Sequence, residues 1–459
     1  MTPPRPLTGP FTLPDVTLVQ PAESSTPHTA LRVRGDRIAA EGDDGGRVLE
    51  QYRGAHVVPG LVDMHTHMTP RSPLRLTESV LLLNIAHGVT TVRDAGDADG
   101  TSGRAAREAM EGGHPGPRMS TAGSFVTRGR TRWPNSVQMS GPGQAAEIVA
   151  RAADGGHRWI KSYEGLDTCD IAALVTAAER RGLGVLGHVP TTLRHEQALL
   201  PDAQHLFGVP DPADLGADTV LCRATDWQGV TDRRLDEVVR HSLAHGLAHT
   251  PTLVATEALL GYRDYESARS APPAGMLPPL YTDRLWHPQR GFPVYRGIDG
   301  YRVDRVAHSL RLKLRLVGLM HSAGVDLHIG TDSQPFTVPG HAVHAEMRLF
   351  ERAGVPAPEV WRIATRGAGQ VLGPGLGEPA LGTLAPGAPA DLLVYRGDPT
   401  LRTDPSEGLE AVVSRGRLYA RADLEAALEA DRQRLRRPLP ALLGRIGSAR
   451  VLRTTDFSF

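Results

Sequence analysis

The stretch 57-VVPGLVDMHTHMTP-70 decides the fold expected for this chain. An apolar run that opens with Pro-Gly leads into two histidines, two residues apart. In an extended strand, residues i and i+2 point to the same side, so His65 and His67 would present both imidazoles to one spot. The pair predicts half of a metal site at the end of a strand.

The rest of the chain repeats this strand-then-helix arrangement, because apolar β-type runs alternate with helical patterns such as VAHSLRLKLRLVGLMHSAG. The strand candidates are residues 61–67, 90–96, 118–127, 157–163, 184–190, 203–209, 248–255 and 325–333. Eight strands separated by helices predict a parallel (β/α)8 TIM barrel. Segment 258–300, rich in Pro, Tyr and Arg, follows the seventh strand and is expected to form an active-site loop.

Both ends of the chain have a different pattern. Short alternating strands with turns occupy residues 15–58, and a matching style returns at 380–399 and 410–420. These pieces predict one small sheet domain beside the barrel. A charged Ala/Leu helix follows at 422–436, and then a tail with little pattern. The apolar residues of these parts are compatible with a homo-oligomer.

Composition narrows the class of protein. The 459-residue chain has 51 basic and 51 acidic side chains, so no overall field attracts nucleic acid or an anionic membrane. Neither a signal-peptide core nor a run of roughly 18 apolar residues is present. The two cysteines, Cys169 and Cys222, are too few for a disulfide framework and are expected to be buried thiols. We therefore expect a soluble, cytoplasmic protein that acts on a small molecule.

Ionisable residues mark the working face of the predicted barrel, which is formed by the C-terminal ends of its strands. Six fall there: His65, His67, Lys161, His188, His205 and Asp332. Any one of the 19 histidines, His205 included, is by itself more often structural than a ligand. Structural histidines have no reason to gather at the ends of separate strands. The joint pattern therefore predicts a site for Zn²⁺ or a similar divalent ion.

Lysine usage gives a second clue. Only two of the 51 basic residues are lysines, Lys161 and Lys313. A protonated ammonium beside a divalent cation would be repelled, so Lys161 must be neutral or chemically changed. Carboxylation by CO2 would convert its amine into a carbamate that bridges two metals, which arginine cannot do because its guanidinium keeps its proton. Lys313, within RLKLRL, is expected to be a surface side chain.

Several motifs together resemble the amidohydrolase superfamily, and within it the imidazolonepropionase-like and metal-dependent Xaa-Pro dipeptidase-like group. They are PGLVDMHTHM, GVTTVRDAG, RWIKSYEG, GHV, the histidine of DAQHLFG, HIGTDS, ATRGAGQVLG and LGTLAPGAPADLLV. The resemblance spans roughly residues 15–420. It implies a (β/α)8 barrel over 59–377, a small flanking β-sandwich built from 1–58 and 378–420, and a C-terminal helix and tail over 421–459.

The resemblance also implies a binuclear centre. Carried over by position, the more buried metal would be held by His65, His67, Lys161 and Asp332, and the other by Lys161, His188 and His205. Zinc is the expected metal, although the same ligands accept Mn²⁺, Co²⁺ or Fe²⁺. Hydroxide activated by the two metals would attack the substrate, and Asp332 would be the general base and then the general acid.

These features predict hydrolysis of a carbon–nitrogen bond in a small amide, with dipeptides or N-acyl amino acids as leading candidates. The alternatives are hydrolysis of a cyclic, imidazolone-type amide or deamination by a mononuclear site, and lactonase or phosphotriesterase activity. A mononuclear site would not need Lys161, and the HVP motif at His188 lacks the acidic residue expected of a deaminase. A metal-free scaffold is disfavoured, because all six ligands remain.

Substrate contacts are predicted in three places. After strand three, one of Arg128, Arg130 and Arg132, with Arg132 preferred, would pair with a substrate carboxylate. Tyr163 lies two residues beyond Lys161 and so points to the same side of its strand. After strand eight, His341 is expected to contact substrate, whereas His344 is expected to cap the next helix.

Overall fold

The computed structural model describes residues 3–23, 25–40, 42, 46–129, 133–215, 226–332, 335–401 and 404–454. Three positions of the sequence analysis, Arg130, Arg132 and Cys222, lie outside these residues. The other cysteine corrects an expectation, because Cys169 is exposed rather than buried. It lies in the first turn of a helix whose Ile171 and Leu174 face the core.

The two ends of the chain meet in one sheet, as the strand patterns predicted. Its order is β17-β16-β15-β5-β1-β2-β3, with β4 paired to β1. The strands are β1 Phe11–Leu18, β2 Thr26–Arg34, β3 Arg37–Ile38, β4 Arg47–Val48, β5 His56–Pro59, β15 Leu392–Tyr395, β16 Leu409–Ser414 and β17 Arg417–Ala420. The ends join where β5 pairs antiparallel with β15. The described strands form a single sheet here, so the sandwich stays a prediction.

Alternation of buried and exposed side chains along the strands explains why this terminal sheet has a core of its own. In β2, Leu31 and Val33 are buried while Arg34 is exposed, as expected for a strand with one face against a core. Phe11 and Leu13 of β1 and Leu392 and Val394 of β15 belong to the same cluster. The cluster is separate from the larger core around the middle of the chain.

The middle of the chain contains two parallel sheets. One has the order β6-β7-β8, and the other β10-β9-β11-β12-β13-β14. Their strands are β6 Leu61–Thr66, β7 Val89–Asp94, β8 Arg118–Thr121, β9 Phe125–Thr127, β10 Ser136–Gln138, β11 Trp159–Ser162, β12 Gly184–Gly187, β13 Asp202–Gln204 and β14 Ala248–Thr250. Every residue of β6 and β7 is buried, as parallel strands covered on both faces require.

The observed architecture is therefore a mixed α/β fold with parallel sheets. The expected closed barrel is not seen as one continuous sheet among the described strands, because the predicted eighth strand, 325–333, pairs only through an isolated bridge from Leu327 to His249. Backbone hydrogen bonds do connect segments that are not paired as strands. Arg158 N donates to Thr121 O at 3.0 Å, and Met64 N donates to Ile329 O at 2.8 Å. The (β/α)8 closure and the domain boundaries stay predictions.

Helices fill the connections between these strands. They are α1 Leu76–Ala86, α2 Ser102–Glu111, α3 Ala145–Asp154, α4 Thr168–Glu179, α5 His195–Ala198, α6 Asp232–His245, α7 Leu253–Ala258, α8 Tyr265–Ser270, α9 Gly300–Ala323, α10 His341–Arg352, α11 Ala357–Arg362, α12 Ala368–Leu376, α13 Arg421–Arg436 and α14 Pro438–Thr454. Among the described residues, each helix is too short or too polar to span a lipid bilayer.

The end of the chain differs from the sequence expectation. The stretch after 436, expected to lack pattern, continues as helix α14 with a proline at its first position, where a missing N–H costs nothing. The sequence signal was weak because apolar residues of this helix, such as Leu439 and Ile446, are exposed rather than set on one buried face.

Candidate metal centre

The two histidines of the opening motif lie side by side at the end of β6. Their ring centroids are 5.2 Å apart, at an angle of 81°. His65 is fully buried, and its Nδ1 lies 2.5 Å from Gln204 Oε1, while the Nδ1 of His67 lies 2.8 Å from the Gly96 carbonyl oxygen. In each ring, Nδ1 is thus the protonated nitrogen and donates. The Nε2 atoms of both rings remain to act as ligands.

Asp332 brings a carboxylate to the same place. Its oxygens lie 3.4 Å from His67 Nε2, 3.9 Å from His65 Nε2 and 3.8 Å from His205 Nδ1. Its backbone N–H donates to the carbonyl oxygen of His65 at 2.7 Å, so the backbone at Asp332 is joined directly to the end of β6. Asp332 has a φ of 59°, in the left-handed region that aspartate adopts more readily than most residues. This turn points the carboxylate back over β6.

Two further histidines, His188 and His205, complete the cluster. The centroid of His205 lies 4.6 Å from that of His65 and 4.9 Å from that of His188. His188 is oriented by Glu164, whose Oε1 is 3.0 Å from Nδ1, and His205 by Thr252, whose hydroxyl is 2.7 Å from Nδ1. One ligand atom each of His65, His205 and Asp332 fall within 4.8 Å of one another.

Lys161 lies in β11 beneath these rings and is wholly buried. Burial lowers the pKa of its amine to about 7, because little solvent remains to stabilise the ammonium. Among the described residues, its Nζ has no hydrogen-bond partner. A buried amine without a partner is costly in a folded protein. The position therefore suits a modified or metal-associated lysine better than an ordinary ammonium.

Electrostatics at the centre also suit a cation. Burial opposes ionisation of Asp332, but its contacts with His67, His205 and His65 hold its pKa well below the usual range. Burial opposes charge on His67 as well, yet the Asp332 carboxylate raises the pKa of this imidazole. Burial, together with Lys161, holds the pKa of His65 well below its usual range, so its imidazole is neutral at physiological pH. A carboxylate and neutral imidazoles are the forms that bind divalent metals.

Two of the buried polar atoms that lack a hydrogen-bond partner among the described residues, His65 Nε2 and Lys161 Nζ, lie at this centre. Both belong to side chains predicted to bind metal. Buried polar atoms are normally satisfied by protein, water or a ligand. The nitrogen and oxygen donors that surround them fit a zinc-like divalent ion. The chain's own residues thus fit the metals that the sequence implied.

A buried network behind the histidines holds His65 in place. Gln204 donates from Nε2 to Asp202 Oδ1 at 2.6 Å, which turns its Oε1 toward His65. Asp202 in turn accepts from Arg93 at 2.5 Å, and Arg93 is fully buried over the ring of Trp159. Despite burial, the Arg93 and His328 charges hold the pKa of Asp202 well below its usual range. The network fixes the tautomer of His65.

Sequence reasoning missed the residues that orient the ligands: Glu164, Gln204, Asp202 and Thr252. One signal was available, since Asp202 and Gln204 alternate as polar residues within an otherwise apolar strand, two and four residues after Leu200. Glu164 was visible only as a polar residue after Lys161 in a turn. Its distance to His188 depends on how neighbouring strands β11 and β12 align, which one sequence does not provide.

The predicted substrate contacts have different outcomes. Tyr163 lines the cavity above the centre, with its ring centroid 4.4 Å from that of His188. Arg128 pairs with Asp167 and Asp170 at the start of α4, which explains its position without a substrate.

The predicted contact from the loop after strand eight, His341, lies outside the set of residues that line the cavity, and its role stays a prediction. This residue begins α10 and packs against His87 and His344, with ring centroids 5.7 and 6.4 Å away. The chain turns at Gly340, so the side chains that reach the cavity from this loop are those of Thr337 and Pro339.

The cavity itself has a volume of about 390 Å³ and opens over the metal centre. Its aromatic lining residues are Phe125, Trp133, Tyr163, Phe207, Tyr281, Trp286, Phe292 and Tyr295. Four of these come from segment 258–300, expected to be an active-site loop. The lining also includes Lys313, which corrects another expectation, since this lysine is buried rather than at the surface.

Comparison with known proteins gives one family. The model of the amidohydrolase family matches residues 56–419. No curated protein matches the chain significantly.

Among solved structures, a bottromycin amidohydrolase is 25% identical, with a TM-score of 0.68, and the match covers 92% of this chain and 90% of that one. A putative prolidase from Bifidobacterium longum is 22% identical, with a TM-score of 0.65 and coverage of 92% and 99%. A Xaa-Pro dipeptidase with bound methionine in its active site is 18% identical, with a TM-score of 0.62 and coverage of 90% and 100%. The last two likenesses show the fold alone.

Proposed function

The chain belongs to the amidohydrolase family and is a hydrolytic enzyme acting on carbon–nitrogen bonds, and we propose that it cleaves the amide bond of a small substrate such as a dipeptide or an N-acyl amino acid. The observation that carries this proposal is the convergence of four histidines, Asp332 and Lys161 beside one cavity. Among the described residues, the buried Nζ of Lys161 has no hydrogen-bond partner. The names of the prolidase and the dipeptidase place dipeptides in the first set of substrates to test.

The proposed centre would hold two divalent ions, zinc foremost. His65, His67 and Asp332 would hold one and His188 and His205 the other, and a carbamate on Lys161 would serve as a ligand for both. Such a pair supplies a hydroxide nucleophile near neutral pH and polarises the scissile carbonyl. The carbamate needs an uncharged amine to react with CO2, and burial of Lys161 with a pKa lowered to about 7 favours that form.

Asp332 is the proposed proton carrier. Its carboxylate is ionised in the resting site, so it can accept the proton of the attacking water and then donate it to the leaving amine. Its Oδ1 faces His65 and His67 and its Oδ2 faces His205, which places the carboxylate between the histidines of both proposed sites. Tyr163, beside His188, is positioned to hydrogen-bond a substrate oxygen.

Apolar side chains would keep bulk water from the reacting bond. The ring centroid of Phe125 lies 6.1 Å from that of His67. The same ring stacks on Trp133, with the centroids 5.9 Å apart. Exclusion of water strengthens the electrostatic interactions of a site. The arrangement favours an amide substrate with apolar groups over a highly hydrated one.

The test is amine release from a library of dipeptides and N-acyl amino acids. Protein reconstituted with zinc and bicarbonate is compared with Lys161→Arg prepared in the same way. We expect hydrolysis by the wild-type enzyme and loss of it in the variant. Hydrolysis of cyclic amides, lactones or phosphoesters instead, with no activity toward any linear amide, would replace the proposed substrate class.

A further inference from the structure

The second of the chain's two lysines lies in the same cavity as the metal centre. Lys313 extends from the middle of α9, is 1% exposed, and lines the cavity beside Thr256 and Leu259. Its Nζ donates to the hydroxyl of Thr256 at 2.8 Å and lies 5.4 Å from the ring of Trp227. The metal chemistry proposed above does not use this amine.

Within the part of the chain that the structure describes, Lys313 forms no ion pair. The acidic group that most affects it is Glu346, yet both carboxylate oxygens of Glu346 are engaged elsewhere. They accept from the backbone N–H groups of Leu253 and Val254, at 2.9 and 2.6 Å, at the start of α7. A buried ammonium with only a hydroxyl and an aromatic face beside it lacks an anion.

The position of Lys313 relative to the centre follows from helix α7. Thr252 precedes this helix and contacts His205, whereas Thr256 contacts Lys313. Thr252, Thr256, His205 and Lys313 all line the same cavity. The amine of Lys313 is thus held near the His205 side of the centre, within reach of a group only a few bonds from a scissile amide.

The remaining wall of the cavity is mainly apolar, with hydroxyl groups among its other polar groups. Apart from the residues of the metal centre, Lys313 is the one charged side chain among the described residues that line it. Aromatic side chains such as Trp286 and Tyr295 face it from segment 258–300. A single cation among aromatic rings fits a ligand with one anionic group and a bulky apolar body.

We propose that Lys313 binds a free carboxylate of the substrate and that the aromatic wall binds a bulky apolar group next to it. This inference rests on the proposed function and narrows it to amides of apolar amino acids with a free carboxylate. Burial lowers the pKa of Lys313 to about 7, and a bound carboxylate would favour its charged form.

Equilibrium binding tests the assignment apart from turnover. The zinc-reconstituted enzyme is titrated with 4-phenylbutyrate and with 4-phenylbutyramide, which share shape but differ in charge. We expect the acid to bind about 10- to 100-fold more tightly than the amide, the range of a charge-assisted hydrogen bond. Lys313→Met should lose this preference while its affinity for the amide stays unchanged.

Two further variants serve as a control and as a second test. Arg311→Gln removes a cation from the exposed side of the same helix and should retain the preference. Thr256→Val removes the hydroxyl that orients Lys313 and should reduce the preference about threefold or more. If Lys313→Met does not fold, Thr256→Val decides the question alone.

An unchanged preference for the acid over the amide in Lys313→Met would overturn the assignment, as would an unchanged preference in Thr256→Val when that variant decides alone. The assignment would also fail if Lys313→Met bound both ligands more weakly by the same factor, or if the wild-type enzyme did not bind the acid. Failure of the proposed function gives a different result: the Lys313-dependent preference would persist in an enzyme that cleaves no amide. Amide cleavage without this preference would remove the carboxylate assignment only.

Discussion

The carboxylate of Glu164 lies 3.0 Å from Nδ1 of His188 and fixes the orientation of that imidazole. The second oxygen of Glu164 accepts from the backbone N–H and the hydroxyl of Thr191, at 3.2 and 3.3 Å, so the carboxylate is itself held in place. Carboxylates that contact a metal-binding histidine in this way raise its basicity and fix its tautomer.

The first prediction concerns this pair. Glu164→Gln should keep the shape of the contact but accept a weaker hydrogen bond, so metal affinity should fall about 10- to 100-fold. The measurement is metal content per chain at graded concentrations of a chelator. Glu179→Gln, an exposed change on α4, is the control and should match the wild type. Identical metal retention in Glu164→Gln would show that the pair has no part in metal binding.

Lys161→Arg should lose turnover by about a hundredfold or more, together with part of its bound metal, because a guanidinium cannot form a carbamate. Lys161→Ala should regain some activity with added propionate, whose carboxylate can take the place of the carbamate. In the wild-type enzyme, carbon-13 bicarbonate should produce a carbamate signal by NMR. Full activity of Lys161→Arg with normal metal content would contradict the assigned role.

Asp332→Asn should lower turnover about 10²- to 10⁴-fold, since asparagine cannot accept the proton. The fold should survive, because asparagine adopts the left-handed conformation of this position as readily as aspartate. Activity is measured on the best substrate of the library, and melting temperature is the structural check. A folded, metal-loaded variant with wild-type turnover would assign proton transfer to another group.

Stability should fall with rising pH through the buried carboxyl group of Glu346. Burial raises its pKa from 4.5 to about 8, so between these values the folded protein keeps a proton that the unfolded chain has lost. Stability is therefore highest below the lower value and declines until the upper one is passed. In Glu346→Gln the decline in melting temperature between about pH 5 and pH 8 should become shallower.

The control for this comparison is Glu111→Gln, a change at an exposed site near the end of α2. It should follow the wild-type profile over the same range. A slope in Glu346→Gln equal to that of the wild type would mean that Glu346 is not the group that titrates.

The gathering of the proposed metal ligands was predictable, because each follows or ends a strand and parallel strands put those ends together. His65 and His67 needed only the two-residue period of a strand. The direction of one helical side chain was missed. Lys313 was assigned to the surface because its neighbours are charged, yet it shares the buried face of α9 with Leu310 and Val317 and lies against Trp227.

Loops were predicted less well than strands for a related reason. Arg128, one of the three arginines considered for the substrate carboxylate, and His341 were chosen by their distance along the chain from a strand end. Their directions depend on partners far away in sequence: Asp170 for Arg128 and His87 for His341. The closed barrel also stays a prediction, since the run 325–333 is apolar enough for a strand but, among the described residues, pairs through one isolated bridge.

The pairing of β5 with β15 has a consequence for biosynthesis. Pro59 pairs with Leu392, and β5 leads through Gly60 directly into β6, which carries His65. The ribosome synthesises β5 long before β15, so one edge of β5 stays unpaired during most of translation. We expect nascent chains stalled before residue 392 to depend on chaperones. We also expect β6, the strand that carries His65, to be fixed in place late in folding.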